Sequence, residues 1–292
     1  MKTLTPIAAA ILLTIGGTAF AEDNTAVQNQ VGVGNSASAT QTGHATKKNL
    51  IEQDQHGFFN NADATQSAER HSTIYQQQDG AHNDAYSLQA HGAHNTSTSM
   101  QSGIGNYSST TQISQLGSTA TTMQYGVGNK ASTLQLAGVG NTSTIDQSGF
   151  FNKADVTQVL SFHSNASITQ TGLGNDASAK QSGFGQDSSI DQDGKFNHAS
   201  TTQLHGFGND ATILQSGFGN KASMLQIGIH NEALGFQKGF ANKLNVCQDG
   251  VGHLAVSSQL GLFNKVSISQ VGHHESAYTT QVGIANHAKV WQ

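Results

Sequence analysis

Two periods run through the pattern of apolar and polar positions in this chain. Between Gln215 and Gln226 the sequence reads QSGFGNKASMLQ, and on an extended strand Asn220, Ala222, Met224 and Gln226 fall on one side with Lys221, Ser223 and Leu225 on the other. The same split puts Asn152, Ala154, Val156 and Gln158 inward with Lys153, Asp155 and Thr157 outward, and Asn264, Val266, Ile268 and Gln270 inward with Lys265, Ser267 and Ser269 outward. Outward positions are mostly charged or hydroxylic, which predicts half-buried strands. Between the strands lies Gln-x-Gly-x-Gly-Asn or a close variant, whose glycines supply the backbone freedom of a tight reversal.

The longer period follows from the glutamine that opens each unit. From Gln30 to Gln292 there are 23 units, sixteen spaced by 11 residues, six by 12 and one by 14. Between Gln55 and Gln170 the spacing alternates 11 and 12, so the physical repeat is a pair of units of 22–23 residues with two kinds of turn. A fixed short period predicts a solenoid in which each unit depends on its neighbours. Two strands and two turns per repeat give an all-β fold, a flat two-strands-per-rung β-solenoid. It would hold some 11 rungs about 4.8 Å apart.

Stacking at that spacing sets each amide above its own kind. A primary amide carries both a donor and an acceptor, so a column can pass hydrogen bonds along the axis and satisfy groups whose unpaired burial costs about 1–3 kcal/mol each. The expected ladder comprises Gln101, Asn106, Gln124, Asn129, Gln147, Asn152, Gln170, Asn175, Gln192, Asn197, Gln215, Asn220, Gln237, Asn242, Gln259, Asn264, Gln281 and Asn286. The expected turn glycines are Gly103, Gly126, Gly149, Gly172, Gly183, Gly217, Gly239, Gly261 and Gly283. The chain reaches its last residue in strand phase, with Asn286, Ala288, Val290 and Gln292 on the core face, and this edge strand is expected to take up the next subunit. Irregular units at 41–54 and 66–76 predict less regular N-terminal rungs, and 115–124 is expected to be shortened at its turn and to bulge.

Residues 1–21 differ from the rest. Lys2 precedes the apolar run Ile7 to Ile15, and Ala19-Phe20-Ala21 has the small-x-small pattern of signal cleavage. The expected division is therefore a signal peptide at 1–21, a short N-terminal segment at 22–29 and repeats over 30–292, with no membrane span. The formal charge is −5 with a single arginine, Arg70, which argues against a nucleic-acid partner. The only proline, Pro6, lies in the signal, leaving backbone ladders unbroken. Cys247 is alone and outward, so no internal disulfide can form.

The doubled unit Gln-x-Gly-x-Gly-Asn-x-Ala-x-x-x-Gln after a signal peptide resembles the curlin repeat of curli subunits, bacterial functional amyloids, and the resemblance covers 30–292. It implies secretion through an outer-membrane pore, nucleation at the cell surface by a minor subunit, and self-assembly into an extracellular cross-β fibre serving biofilm and adhesion. The chain is then a structural subunit. Either the major subunit or the nucleator is open, and the rival from another class is a monomeric solenoid adhesin or ice binder. Ice binders of this architecture tend to show flat ranks of threonine, whereas the outer positions here mix Lys, Asp, Ser and Leu.

Other chemistry has little support. GVGN and GFGN lack the third glycine and helix of a nucleotide loop, and the period of 11 with neutral Asn departs from the nine-residue calcium repeat. The 14 histidines, among them His82, His94, His163, His205, His230, His253, His273 and His274, are expected as solvated turn residues, with surface metal binding or pH-dependent assembly the alternative. Phe58, Phe150, Phe184, Phe207, Phe218 and Phe240 are expected to close the end of the core, an external apolar ladder being the alternative. Acids such as Asp155, Asp176, Asp187, Asp191, Asp193 and Asp210 are scattered outward, without the cleft that paired-carboxylate catalysis requires. No catalytic, cofactor or metal site is expected.

Overall fold

Each period-two segment is extended and each Gly-Asn reversal turns the chain back, so successive strands fall in two facing sheets. The computed structural model describes residues 23–43 and 46–292; the expected signal segment lies outside the described residues. The described residues form 24 strands, from β1 (Thr25–Val33) and β2 (Ser36–Thr42) to β23 (Ser276–Ile284) and β24 (His287–Trp291). All odd-numbered strands form one twelve-stranded sheet and all even-numbered strands the other. Pairing is parallel and in register. In β17 (Asp210–Phe218) Asp210, Gln215 and Gly217 lie on Asp187, Gln192 and Gly194 of β15 (Asp187–Lys195).

The stack therefore has twelve rungs, about 50 Å tall at the usual strand spacing. The extra rung comes from the segment before Gln30: β1 starts at Thr25, and its Gln28 and Gln30 lie on Gln53 and Gln55 of β3 (Leu50–Phe58). The N-terminal irregularity is confined to turns. β1 and β2 pair with the next rung across an offset of 25 residues instead of 22 or 23, without losing register.

The interior is two side-chain layers thick. One inward column of each sheet is dominated by alanine, and the other carries larger groups. Ile145, Ile168, Ile190 and Ile213 form a stacked row belonging to one apolar cluster that runs from Ala131 to Ala277. Where the row meets Gly235, the vacant Cβ position is filled by Leu244 and Met224, so bulk lost from one sheet is restored by the other. A second, small cluster is built on Ile51, Ala64 and Ile74. Between the two the same columns hold buried hydroxyls: Ser97, Ser99, Ser108, Thr110 and Thr122. Ser99, Ser108, Thr110 and Thr122 find no hydrogen-bond partner for their hydroxyls among the protein groups.

Two turn geometries explain the alternating 11 and 12. In the short turn the second residue after glutamine has φ between 116° and 130° at every expected turn glycine, and the fourth sits in the left-handed region near 55–65°. In the long turn the second residue is itself left-handed, as at Ser114 (54°), Ala137 (54°) and Leu160 (50°), and an inserted residue follows. Left-handed backbone admits any residue at a cost of about 1–2 kcal/mol, whereas φ near 120° is glycine territory, which is why the long turns dispense with that glycine. The unit expected to be shortened at 115–124 is one of these long turns: Ser114 takes the left-handed position and the inserted Gln115 is buried inward.

Candidate functional site: the amide ladders and the ends of the stack

The residues placed most strictly by this architecture are the glutamines at the end of each inward face. In the odd sheet Nε2 of each donates to Oε1 of the next from Gln30 through Gln55, Gln101, Gln147, Gln192 and Gln237 to Gln281, without a gap, at 2.7–3.1 Å. The even sheet holds an equally unbroken ladder from Gln41 to Gln292 at 2.7–3.0 Å. The second Nε2 proton crosses to a backbone carbonyl of the facing sheet, for example Gln215 to His198 O (3.1 Å) and Gln226 to Asp210 O (2.7 Å). Each amide between the end rungs is thus both a rung-to-rung and a sheet-to-sheet link, and both of its protons are used, as burial demands.

The asparagines form a second column. From Asn35 to Asn286 every Oδ1 accepts the backbone N–H of the next asparagine at 3.0–3.1 Å. Nδ2 donates to the carbonyl of the glycine one rung on, as from Asn106 to Gly126 O (3.0 Å) and Asn220 to Gly239 O (3.1 Å). The expected ladder residues all lie in these two columns. The even ladder is among the repeat's opening glutamines but not among the named ladder residues, and a short third ladder, Gln28 to Gln53 to Gln76 at 2.7 and 2.8 Å, is an addition of the structure.

The other turn column is mixed, and there expectation and structure part. His253 is buried, not solvated: it occupies an asparagine position, its N–H bonds to Asn231 Oδ1 (3.1 Å), and its Nδ1 accepts from Glu275 N (3.3 Å) as an asparagine oxygen would. Most other turn histidines stand in left-handed backbone, including His82, His94, His163, His205, His230 and His274. Among the described residues no group of three or more His, Cys, Asp or Glu side chains could hold a metal. Among the described residues Glu69 is the one fully buried carboxyl. Burial pushes its pKa up against the pull of hydrogen bonds from Ser72 Oγ (2.7 Å) and Asn95 Nδ2 (3.3 Å).

The phenylalanines do not close the core. Phe58, Phe150, Phe184, Phe207, Phe218 and Phe240 are 39–55% exposed, because the residue after the turn glycine points outward and asparagine already fills the inner corner. They stack on one another instead, Phe218 on Phe240 with centroids 5.1 Å apart and Phe184 on Phe207 at 6.0 Å. Cys247 is half-buried on the outer face, its thiol pushed up by burial and by Asp249. One regularity of the outer face was not read from the sequence: Thr96 and Thr98, Thr119 and Thr121, and Thr142 and Thr144 stack in two adjacent columns over three rungs.

At the two ends of the described stack the columns stop with complementary chemistry. Every glutamine-ladder bond runs donor-to-acceptor toward higher residue numbers, so Gln30 and Gln41 present Oε1 outward at one end, while Gln281 and Gln292 are the last donors at the other. Apolar side chains gather at both ends in the same columns. Val27, Val31 and Val33 are 47–59% exposed on β1, and Tyr278, Val282 and Ile284 are 67–69% exposed on β23 at the equivalent positions. Ala288 and Val290 of β24 pack on the core with one side uncovered, Asn286 and Gln292 are exposed, and a shallow recess beside them is lined by Ser269, Val271, Trp291 and Gln292.

These features define a class: an all-β, parallel, in-register solenoid whose interior is hydrogen-bonded along its own axis. Residues 206–234, just over one rung spanning β17 and β18 (Lys221–Ile229), match the curlin associated repeat. The matched stretch is thus similar to that repeat, and the same rung recurs with the same register above and below it. Among curated proteins no sequence match is found. Among the described residues no helix is long and apolar enough to cross a membrane.

Proposed function

We propose that this protein is a secreted structural subunit that adds end to end, β23 and β24 of one copy on β1 and β2 of the next, into extracellular curli-like amyloid fibres. The fibre itself is the function, giving biofilm cohesion and surface adhesion, with a nucleating subunit and an outer-membrane pore as partners. The observation that carries the reading is the match between the two ends. Stacking copies in register brings the Gln281 and Gln292 donors onto the Gln30 and Gln41 acceptors. It also sets Tyr278, Val282 and Ile284 over Val27, Val31 and Val33, extending columns that already run through twelve rungs. Burying such side chains stabilises the junction by about 25 cal/mol per Å² of apolar surface covered.

The test places charge in one junction column. Val31→Lys with Val282→Lys sets two ammonium groups within about 5 Å at each junction. Fibre growth, followed by dye binding and sedimentation, is expected to slow at least about ten-fold, the equivalent of 1.4 kcal/mol. Val31→Lys with Val282→Asp is expected to restore it. Unchanged growth of the two-lysine variant would overturn end-to-end addition through this edge.

A second reading has one observation in its favour. Paired threonine columns over three rungs of the odd face resemble, on a small scale, the ranks of an ice-binding surface. Thermal hysteresis in monomeric protein, abolished by Thr121→Lys, would support it; none at millimolar protein would dismiss it.

A further inference from the structure

The two outer faces of the solenoid carry opposite charge. On the odd sheet from β15 to β19 (Glu232–Phe240) the exposed outward positions hold Asp187, Asp191, Asp193, Asp210 and Glu232 against two lysines, Lys195 and Lys238. On the even sheet β18, β20 (Lys243–Val251), β22 (Lys265–His273) and β24 hold Lys221, Lys243, Lys265 and Lys289 outward against the single carboxylate Asp249.

Both sets are columns. Asp187, Asp210 and Glu232 stack directly, and so do Lys221, Lys243 and Lys265, with His198 before and His287 after. Like charges about 4.8 Å apart repel by about 1 kcal/mol per pair even in water. The strain is visible at Asp210, where burial and then the charges of Asp187 and Glu232 push the carboxyl pKa up. In the middle of the molecule such charges are answered locally, Lys153 by Asp155 (2.6 Å) and Asp176 by His198 (3.5 Å). Among the described residues no salt bridge answers the three stacked lysines or the three stacked acids.

We propose that these faces answer one another between copies: the even sheet of one solenoid lies on the odd sheet of a second copy with the two axes antiparallel. The orientation follows from the strands. Successive strands cross the molecule in opposite directions, so the acidic column lies toward one edge and the lysine column toward the other. A copy shifted straight across the face would misalign them; a half-turn about the face normal superposes them. That half-turn sets β20 on the second copy's β19, bringing Lys243 to Glu232 and Asp249 to Lys238. It also sets β22 on β17, bringing Lys265 to Asp210, and β24 on β15, bringing His287 to Asp187. Asp249 and Lys238, each of the wrong sign for its own face, meet in the same arrangement. Because the two faces differ, the contact does not close on itself and repeats into a stack of layers. The inference rests on the fibre reading for its extended form, but pairing of single solenoids needs no fibre.

The test measures thickness separately from length. Fibres grown from the mature chain and imaged by atomic force microscopy are expected to lie in multilayer stacks in 10 mM salt. In 500 mM salt, where the Debye length falls below about 5 Å, they are expected to separate into single layers of unchanged length. Lys243→Glu with Lys265→Glu should reduce stacked fibres at least about five-fold in low salt, roughly the effect of losing 1 kcal/mol. Adding Asp210→Lys and Glu232→Lys to the same chain should restore stacking. End-labelled seeds should show neighbouring layers growing in opposite directions. Stacking indifferent to salt and to the lysine substitutions would overturn the proposal, as would neighbours growing in one direction. Single layers at low salt whose lysines instead retain dextran sulfate would overturn it in favour of a polyanionic partner. If no fibre forms, end-to-end addition fails on its own. Pairing is then read by sedimentation equilibrium of soluble solenoids, where salt-sensitive dimers support it and monomers in 10 mM salt overturn it.

Discussion

At the residue scale, the repeat is a set of conformational and hydrogen-bonding requirements imposed at every rung. Gly172 illustrates the strictest. Its φ is 118°, and a Cβ there would stand 2.0 Å from the carbonyl oxygen of Gly194 in the next rung, so no side-chain adjustment relieves it. Gly105 has a φ of 65° and nothing within 4 Å of its Cβ position. Gly105→Ala is therefore expected to cost about 1 kcal/mol, while Gly172→Ala should cost at least about 3 kcal/mol by forcing the two rungs apart, a contrast that denaturant midpoints can measure. The outer carboxyls give a pH prediction. Burial first, and neighbouring acids second, raise Asp191 and Asp210 above the ordinary carboxylate value, and burial raises Asp146. A raised carboxyl binds its proton earlier in the folded state, so its stabilising contribution is fully present below the unfolded pKa near 4 and is lost as pH rises through the folded value. Asp176 runs the other way: a hydrogen bond from His198 and the charge of Lys153 lower it, and its contribution is lost on acidification. Asp210→Asn should raise stability at pH 7 by less than about 1 kcal/mol, given its exposure, and flatten the rise in stability between pH 7 and 4. Urea titrations at the two pH values check this.

At the element scale, the stack is not uniform. β7 (Thr96–Ile104), β8 (Tyr107–Leu116) and β9 (Thr119–Val127) carry the hydroxyl-lined interior that separates the two apolar clusters. Their backbone ladders are complete, so the weakness lies in side-chain packing alone. Hydrogen exchange is expected to be faster in these strands than in the isoleucine-lined rungs. Replacing unpartnered hydroxyls by methyl groups of like shape, as in Thr110→Val with Thr122→Val, should stabilise the protein by about 1–2 kcal/mol and slow exchange there. The strands themselves were legible from alternation, and so was the existence of two turn kinds. Two readings failed for one reason. A turn's inner corner is chosen by φ and by what the asparagine column already fills: alternation predicts phenylalanines that close the end of the core and a shortened turn at 115–124, whereas the aromatics lie outside and Gln115 points in.

At the scale of the whole molecule, nearest-neighbour stacking makes rung number adjustable and strand phase inviolable. Deleting Asp193 to Gln215 removes one complete rung and joins Gln192 to Ser216 in phase; the product should fold, with the strand signal in circular dichroism preserved per residue. Deleting Ala199 alone removes one residue from a strand and turns the inward set outward beyond it, which should disrupt its rung and the contacts on either side. Polarity is also a property of the whole. Because both glutamine ladders run donor-to-acceptor in one sense, the two ends differ chemically and copies are expected to add head to tail.

The sequence by itself determined the strand phase, the pairing of units into rungs and which residues form columns, because a period of two inside a period of 22 or 23 leaves one stacking in which alanine meets alanine and amide meets amide. Only the tertiary structure decided three things. It gave the direction in which every amide points, since either sense satisfies the composition. It gave the role of His253 and Glu275 as substitutes in an asparagine column, since their types alone suggest surface charge. It gave the division of charge between two faces, because odd and even strands alternate along the chain and their charges separate only when the fold sends them to opposite sides.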